Sequence, residues 1–262
     1  MTSCAFLHTN LAAGLTPTAT STSAAASYPW TNLNDPQPRI RARVTAASLI
    51  LVFDLGSAQS VDCAALLSTS LPAAATARLR ASTADPTVVG TLLYDSGVQS
   101  TVTSPDYNGN IVACFTSVSA RYWRWDLASG TNPIDIGLAP LGLLYRPSLN
   151  MQFGMQEGLI DLSKRDMNQD TGAEFGISGP KKRTKLLSFM GLTSAEIRDT
   201  FGTIDRNVGA SGDVLFVFAP DETWINRSRD SVWGGYRQVG PDLATQPELD
   251  RWARNVRMTE RL

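Results

Sequence analysis

The segment ARYWRWDL at residues 120–127 decides the fold of the N-terminal half of this chain. In an extended strand, alternate side chains point to opposite faces, so Trp123 and Trp125 share one face while Tyr122 and Arg124 share the other. Two indoles on the same face supply much of the core of a two-layer sheet structure. The segment therefore predicts a half-buried strand whose two indoles are turned inward.

Short apolar or alternating runs surround this segment and are separated by turn residues such as Gly, Pro, Asp and Ser. Many short strands at a spacing of about 8–15 residues predict a sandwich or a barrel. The predicted strands are Leu49–Leu55, Val61–Ser68, Ala77–Ala81, Thr91–Tyr94, Ile111–Phe115, Arg121–Leu127 and Leu138–Tyr145.

The composition argues against several classes of protein. A formal net charge of -1 over 262 residues gives no general attraction to nucleic acid or to an anionic membrane. The first Lys or Arg is Arg39, so we expect no secretory signal, and the apolar runs are too short to span a bilayer. The three cysteines are widely spaced, which indicates buried free thiols and assembly in a reducing compartment.

A change in composition near Pro147 predicts a domain boundary. Residues 1–147 contain no Lys and no Glu, whereas every Lys and Glu lies beyond them. The proline also ends an apolar run, and prolines commonly mark such boundaries. We therefore expect a β-rich domain over residues 1–147 and a smaller domain over residues 148–262.

The second domain combines strand and helix signals. Strands are predicted at Phe153–Leu162 and Ala173–Ile177 around a polar turn, Lys164–Gly172, and again at Asp213–Ala219. Thr193 followed by Glu196 has capping-box spacing and predicts a helix that runs to about Thr203. The charge-rich segment Glu248–Arg261 is a second helix candidate. These signals predict a β-rich α+β assembly domain with one or two short helices.

The sequence shows no convergent catalytic constellation. His8 is the only histidine, and no nucleophile motif accompanies it, so a structural role is expected. Carboxylates are numerous, but no pair is singled out by its spacing. We predict no catalytic residue, no metal site and no cofactor, and expect that the chain is not an enzyme. A glycosidase that acts through two carboxylates stays open as an alternative.

The basic run GPKKRTK at residues 179–185 contains Lys181, Lys182, Arg183 and Lys185. It lacks the second glycine of a phosphate-binding loop, and no basic domain surrounds it, so nucleic-acid binding is not predicted. The run is interpreted as a solvated hairpin loop or as a loop that reaches an acidic patch on a neighbouring subunit. On the second interpretation, its four cations form assembly contacts.

The segment around residues 28–35 is the predicted ligand-binding site. Aromatic side chains with neighbouring amides are suited to a sugar face, and they are equally suited to anchoring a protein interface. The predicted ligand-binding residues are Tyr28, Trp30, Asn32, Asn34 and Asp35.

Four motifs, in order, resemble the discoidin-like (galactose-binding-like, coagulation-factor C-type) domains. They are YPWTNLNDP at 28–36, VFDLG at 52–56 followed by Val61, RLRAS at 78–82 and ARYWRW at 120–125. The resemblance implies an eight-stranded jelly-roll β-sandwich whose loops at one end often bind glycans or lipids. The pair of cysteines that usually bridges the termini of such domains is not evident here.

The whole layout is similar to structural proteins of tailed-bacteriophage tails. This similarity implies a virion component of the tail tip or baseplate, assembled in the host cytoplasm, whose partners are copies of itself in a symmetric ring or trimer and other phage tail proteins. Cell-surface glycans are a further expected partner. The alternative is a free-standing carbohydrate-binding module or lectin.

Overall fold

The computed structural model describes most of the chain as two compact units. The first comprises Met1–Pro147, Val214–Ser231 and Leu262, and the second comprises Ser148–Asp213 and Val232–Arg261. The sequence places one boundary at Pro147, and the structure in addition assigns Val214–Ser231 to the first unit. The described residues are 3–20, 24–85, 92–101, 109–131, 133–152, 154–167, 171–172, 174–209 and 211–262.

The fold is mainly β, with a β-sandwich followed by a smaller β-rich region. The strands before Pro147 are β1 Ala5–Leu7, β2 Thr18–Thr20, β3 Ala42–Val44, β4 Ser48–Leu66, β5 Thr76–Ser82, β6 Leu92–Asp95, β7 Gln99–Ser100, β8 Ile111–Ala128, β9 Ile134–Ile136 and β10 Leu141–Gly142. The strands after it are β11 Gln156–Asp161, β12 Lys164–Met167, β13 Glu174–Ile177, β14 Lys181–Leu192, β15 Asp213–Val217, β16 Val232–Gln238, β17 Leu243–Gln246 and β18 Arg251–Glu260.

The main sheet of the first unit has the order β10-β4-β8-β5-β6, with β2 beside β4 and β7 beside β5. Its centre is the antiparallel pair of β4 and β8, which align from Ser48 opposite Ala128 to Leu66 opposite Ile111. The sequence predicted two separate strands in each of these regions, which is wrong. Residues 56–60 of β4 are exposed and resemble a turn in sequence. The strand nevertheless continues through them where it leaves the core, with a shift in its pairing with β8 between Asp54 and Gln59.

The core lies between this sheet and a second layer formed by β3 and β9. Trp123 and Trp125 are 1% and 2% exposed, which confirms that both indoles point inward. They belong to one apolar cluster with Val44 of β3 and Ile136 of β9. Burial of each such side chain contributes roughly 1.5–3 kcal/mol to folding, so this cluster dominates the stability of the sandwich.

Two other strand predictions differ from the structure in extent. The predicted strand Thr91–Tyr94 is observed as Leu92–Asp95, and Thr91 lies outside the described residues. The predicted strand Leu138–Tyr145 is regular only at Leu141–Gly142, where it pairs with β4.

The first unit is completed beside β8 by residues 214–231, which follow the first segment of the second unit in the sequence. Helix α2, Trp224–Asp230, follows Thr223, whose side chain accepts a hydrogen bond from the Asn226 N–H. The N–H of Val112 donates to Ser228 Oγ over 2.9 Å, and Arg227 Nε donates to the Val112 carbonyl over 2.9 Å. Side chains of α2 therefore satisfy the backbone of β8 as a neighbouring strand would.

The second unit contains a sheet in which β16, β18, β14 and β11 are successive neighbours and β17 pairs with β18. The helix prediction for Glu248–Arg261 is wrong, because Arg251–Glu260 is strand β18. The helix prediction was based on the many charged residues of this segment; its arginines at 251, 254 and 257, three residues apart, are also compatible with one face of a helix. In the strand, however, Arg254 is buried and Arg257 is exposed, as period-two alternation requires.

The expected polar turn at Lys164–Gly172 is also partly strand. Lys164–Met167 pairs with Glu174–Ile177 as a two-stranded antiparallel ribbon, with Lys164 opposite Ile177. Residues 153, 168–170 and 173 of the predicted strands and turn lie outside the described residues.

The predicted capping box is confirmed. The Thr193 N–H donates to Glu196 Oε2 over 2.9 Å, and the Glu196 N–H donates to Thr193 Oγ1 over 3.2 Å. The helical segment that follows has a π-helical turn, Glu196–Phe201, and then helix α1, Gly202–Val208. It therefore extends beyond the predicted end at Thr203.

Charged side chains are buried in the second unit. Arg183 donates from Nη2 to Glu260 Oε1 over 2.6 Å, and its backbone N–H donates to Glu260 Oε2 over 2.9 Å. Arg254 pairs with Asp205 and Asp242, and its guanidinium lies 4.9 Å from the ring centroid of Phe201. These charges are tolerated because each is paired and hydrogen-bonded.

Within the described part of the chain, no helix is long and apolar enough to cross a membrane. The same residues contain no group of three or more His, Cys, Asp or Glu side chains placed to hold a metal ion.

Candidate functional site

The predicted ligand-binding segment forms a short 3-10 turn at Trp30–Asn34. Leu33 is buried in the core of the sandwich and fixes this turn. Tyr28 lies just before it, and this residue is 40% exposed. The turn therefore presents Tyr28 at the surface on a rigid support.

The exposed ring of Tyr28 is held by Arg43 of β3. The guanidinium carbon of Arg43 lies 4.7 Å from the ring centroid, and the Arg43 N–H donates to the Tyr28 carbonyl over 3.1 Å. A guanidinium over a tyrosine face is attracted by the negative face of the ring. Both the side chain and the backbone of Arg43 thus fix the position of Tyr28.

Asp135 of β9 fixes the orientation of Arg43 in turn. Arg43 Nε and Nη2 donate to the two carboxylate oxygens of Asp135 over 2.6 Å and 2.9 Å. This hydrogen-bonded pair raises the pKa of the Arg43 guanidinium. The two residues are opposite each other in the β3–β9 register, so the second layer of the sandwich sets the geometry.

Arg41, the residue just before β3, extends the cluster. Its Nη2 donates to Ser68 Oγ over 3.0 Å, and its Nη1 lies 3.8 Å from Asp135 Oδ2. Its Nε is buried and has no hydrogen-bond partner among the described residues, although the side chain as a whole is partly exposed. Two guanidiniums therefore share one carboxylate, and the cluster carries an excess positive charge.

The remaining predicted site residues do not converge on Tyr28. Trp30 is half-buried and packs against the core, and Asn32 Nδ2 donates to the Arg41 carbonyl over 2.8 Å. Asp35 Oδ1 accepts the Gln37 N–H over 2.8 Å, which stabilises the turn, and Asn34 is exposed.

The site predicted from the sequence lacks four residues of this cluster: Arg41, Arg43, Ser68 and Asp135. The alternation of arginine at residues 39, 41 and 43 was a signal for a basic strand face. Asp135 offered no local signal, because its role depends on pairing with a strand that precedes it by more than 90 residues.

The basic run does not form the predicted hairpin loop. Residues 181–185 begin β14, which lies between β11 and β18 in the sheet. Arg183 and Lys185 are buried and pair with Glu260 and Glu157, respectively. Lys181 is exposed and Lys182 is partly exposed, so an assembly contact through these two lysines stays a prediction.

His8 does not supply a recognisable catalytic group. Its Nδ1 lies 3.1 Å from Thr9 Oγ1, the hydroxyl of the next residue. Burial lowers the pKa of His8, so the neutral ring is favoured.

No family model matches the sequence, and no curated protein matches it significantly. Among solved structures, the chain is similar to chitosan-binding module 1 of a chitosanase/glucanase from Paenibacillus sp. IK-5. The identity is 22% and the TM-score 0.41, over 51% of this chain and 98% of that module.

Two other solved structures show a comparable similarity. CpGH89CBM32-6 of Clostridium perfringens is 13% identical with a TM-score of 0.39, over 53% of this chain and 99% of its own. The lectin domain of lectinolysin, complexed with Lewis B antigen, is 15% identical with a TM-score of 0.39, over 53% and 98%. Because the identities and TM-scores are this low, the assignment of a β-sandwich is based on this chain's own strand order and core.

Proposed function

We propose that this chain is a non-catalytic protein that binds carbohydrate through its first unit. The observation that carries this proposal is the exposed ring of Tyr28, which Arg43 and Asp135 hold rigidly beside the partly exposed guanidinium of Arg41. A rigid aromatic surface with a few fixed polar groups is the usual composition of a small-ligand site.

Each member of the cluster has a distinct role in this proposal. The ring of Tyr28 packs against the C–H face of a sugar, while the Arg41 guanidinium bonds to sugar hydroxyls. Asp135 does not contact the sugar; it holds both arginines in place through its carboxylate. The excess positive charge also accommodates a sugar that carries a carboxylate.

Binding of the full-length chain to an array of neutral and acidic oligosaccharides tests this proposal, followed by calorimetry on the best ligand. Tyr28→Ala is expected to weaken binding at least about tenfold, roughly the loss of one aromatic contact. Tyr28→Phe keeps the ring and serves as the matched control, with most of the affinity retained. An array without any ligand, or full affinity in Tyr28→Ala, contradicts the proposal.

A structural component of a phage tail tip or baseplate is the second candidate function. It is located in the virion, is assembled in the host cytoplasm, and binds copies of itself in a ring or trimer as well as other tail proteins. The β12–β13 ribbon favours this candidate because Met167, Phe175 and Ile177 are 56%, 58% and 64% exposed. Exposed apolar side chains on a two-stranded ribbon are typical of a surface that another protein covers.

The register of the ribbon concentrates two of these side chains on one face. Phe175 and Ile177 are two residues apart and lie on the same face, opposite Asp166 and Lys164. An apolar pair beside one acidic and one basic side chain provides both packing and orientation for a partner strand.

Native mass spectrometry at micromolar concentration tests this second candidate. The wild-type chain is expected to form one symmetric oligomer, and the double substitution Phe175→Asp and Ile177→Asp is expected to yield monomer. Tyr28→Ala, in the other unit, is the control and leaves the oligomer unchanged. A wild-type chain that stays monomeric and binds no tail protein contradicts this candidate.

A further inference from the structure

Two cysteines face each other across the central strand pair of the sandwich. Cys63 of β4 is directly opposite Cys114 of β8. Their Sγ atoms are 3.9 Å apart, so the two thiols are within hydrogen-bonding distance of each other. We infer that Cys63 and Cys114 form an oxidisable pair, which a low-molecular-weight disulfide such as oxidised glutathione converts into an intrachain disulfide.

The backbone geometry already suits the bond. Directly opposite residues of antiparallel strands have Cα atoms about 4.5–5.5 Å apart, within the span of about 4.4–6.8 Å that disulfides bridge. The sulfurs must approach by roughly 2 Å to reach the bond length of about 2.05 Å, which side-chain rotation supplies.

The two thiols differ in their access to solvent. Cys63 is fully buried, whereas Cys114 is only partly buried, so an oxidant in solution reaches Cys114 first. The hydrogen bond with Cys114 and burial both raise the pKa of Cys63, although the positive charge of Arg227 opposes this change. Since the thiolate is the nucleophile, Cys63 reacts second and only with a sulfur already beside it.

The reaction proceeds in two balanced exchange steps. The Cys114 thiolate attacks one sulfur of oxidised glutathione, forms a mixed disulfide and releases one glutathione thiolate. The Cys63 thiolate then attacks Cys114 Sγ and releases the second glutathione thiolate. The protein loses two electrons and two thiol protons, the protons pass to the released glutathione thiolates, and one oxidised glutathione becomes two reduced molecules.

Cys4 provides an internal reference for this chemistry. It is the third cysteine, lies before β1 and is buried. We therefore expect the oxidised chain to keep one thiol that can be titrated after denaturation, and this thiol to be that of Cys4. We also expect Cys4→Ala to be oxidised like the wild type and to keep no free thiol.

Mass spectrometry of the full chain equilibrated with reduced and oxidised glutathione tests the inference. The wild type is expected to lose two hydrogens with no glutathione attached, and peptide mapping is expected to link Cys63 with Cys114. A persistent glutathione adduct on the wild type, a link that involves Cys4, or a disulfide between two chains overturns it.

Single substitutions test the order of attack, with circular dichroism to confirm that each variant folds. Cys63→Ala is expected to accumulate one glutathione on Cys114, because no second thiol resolves the mixed disulfide. Cys114→Ala is expected to leave Cys63 unmodified, because the remaining thiol is buried. Equal modification of both variants contradicts the sequential mechanism and overturns the pair as the oxidised site. The mapping of the wild type is decisive even if a variant fails to fold.

Discussion

The two units of this molecule fill their interiors with different chemistry. Trp123 of the apolar cluster is among the largest fully buried side chains of the sandwich, whereas those of the second unit include the charged Arg254 and Lys185 along with apolar residues. Removal of apolar surface from water stabilises the first kind of core directly. Buried charges add stability only when their partners repay the cost of desolvation. The sandwich should therefore respond most to loss of volume, and the second unit to loss of one partner of an ion pair.

Removal of an indole is expected to cause the largest loss of stability. Trp123→Ala leaves a cavity in the core and is expected to lower the free energy of unfolding by about 4 kcal/mol. Trp123→Phe is the matched control and should cost less, because it keeps a ring, and Trp123 Nε1 has no hydrogen-bond partner in the described ranges. Urea unfolding followed by circular dichroism measures both. A loss below about 1 kcal/mol in Trp123→Ala is inconsistent with a core dominated by volume.

Neutralisation of one partner of the buried ion pair is expected to have the next largest effect. Glu260→Gln keeps the shape of the side chain but leaves the Arg183 charge uncompensated, so the free energy of unfolding should fall by about 3 kcal/mol. The double substitution Arg183→Met and Glu260→Leu removes both charges. It should lose less stability than the sum of the losses in the single variants Arg183→Met and Glu260→Leu. If the losses of the two single variants simply added up in the double variant, the second unit would show no special dependence on paired charges, and the contrast between the two units would not hold.

The ionisation of Asp213 is expected to have a smaller effect on the free energy of unfolding. Burial raises the pKa of this carboxyl although Arg261 opposes the shift, so its ionisation opposes folding. Its stabilising contribution is fully present below the unfolded pKa of about 4 and is lost as pH rises through the folded value. Asp213→Asn should therefore gain stability relative to the wild type across that window, by less than Glu260→Gln loses. Unfolding curves at several pH values measure this difference in stability. If Asp213→Asn instead lost stability relative to the wild type as the pH rose, the prediction would be wrong.

The exposed ion pair of the sandwich is expected to have the smallest effect, with the opposite sign. The hydrogen bond from Arg121 is the main cause that lowers the pKa of Asp54 from 3.8 to about 2. The contribution of Asp54 is therefore present above pH about 4 and is lost as pH falls toward 2, by at most about 1 kcal/mol because both side chains are exposed. Asp54→Asn should match the wild type near pH 2 and be slightly less stable at neutral pH. Equal stability at both pH values would show that this surface pair contributes nothing.

The sequence predicted the sandwich core more accurately than the second sheet, for a physical reason. In β8 the alternation of Trp123 and Trp125 with polar residues indicates directly which face is buried. In β18 the buried positions include Arg254 and Glu260, so hydrophobic alternation is masked, and the arginine spacing resembles a helix face. A buried charge can be recognised only when its partner is known, and the partners of Arg254 come from other segments.

The candidate site was only partly predictable for the same reason. Tyr28 was identified from local sequence because aromatic residues in a polar loop are conspicuous there. Its supporting residues Arg43 and Asp135 meet only when β3 and β9 pair, and no local pattern indicates that pairing. Trp30 has the same local signal as Tyr28 but packs against the core, so residue type alone did not distinguish the two roles.

The hydrogen bonds between α2 and Val112 have a consequence for synthesis on the ribosome. Because Arg227 and Ser228 satisfy the backbone of β8, the sandwich is complete only after the chain has been translated past residue 231. The nascent polypeptide must therefore keep this edge available while residues 148–213 emerge. A truncation at Pro147 would leave the Val112 N–H and carbonyl without these bonds, so deletion designs for this molecule should retain the distant helix.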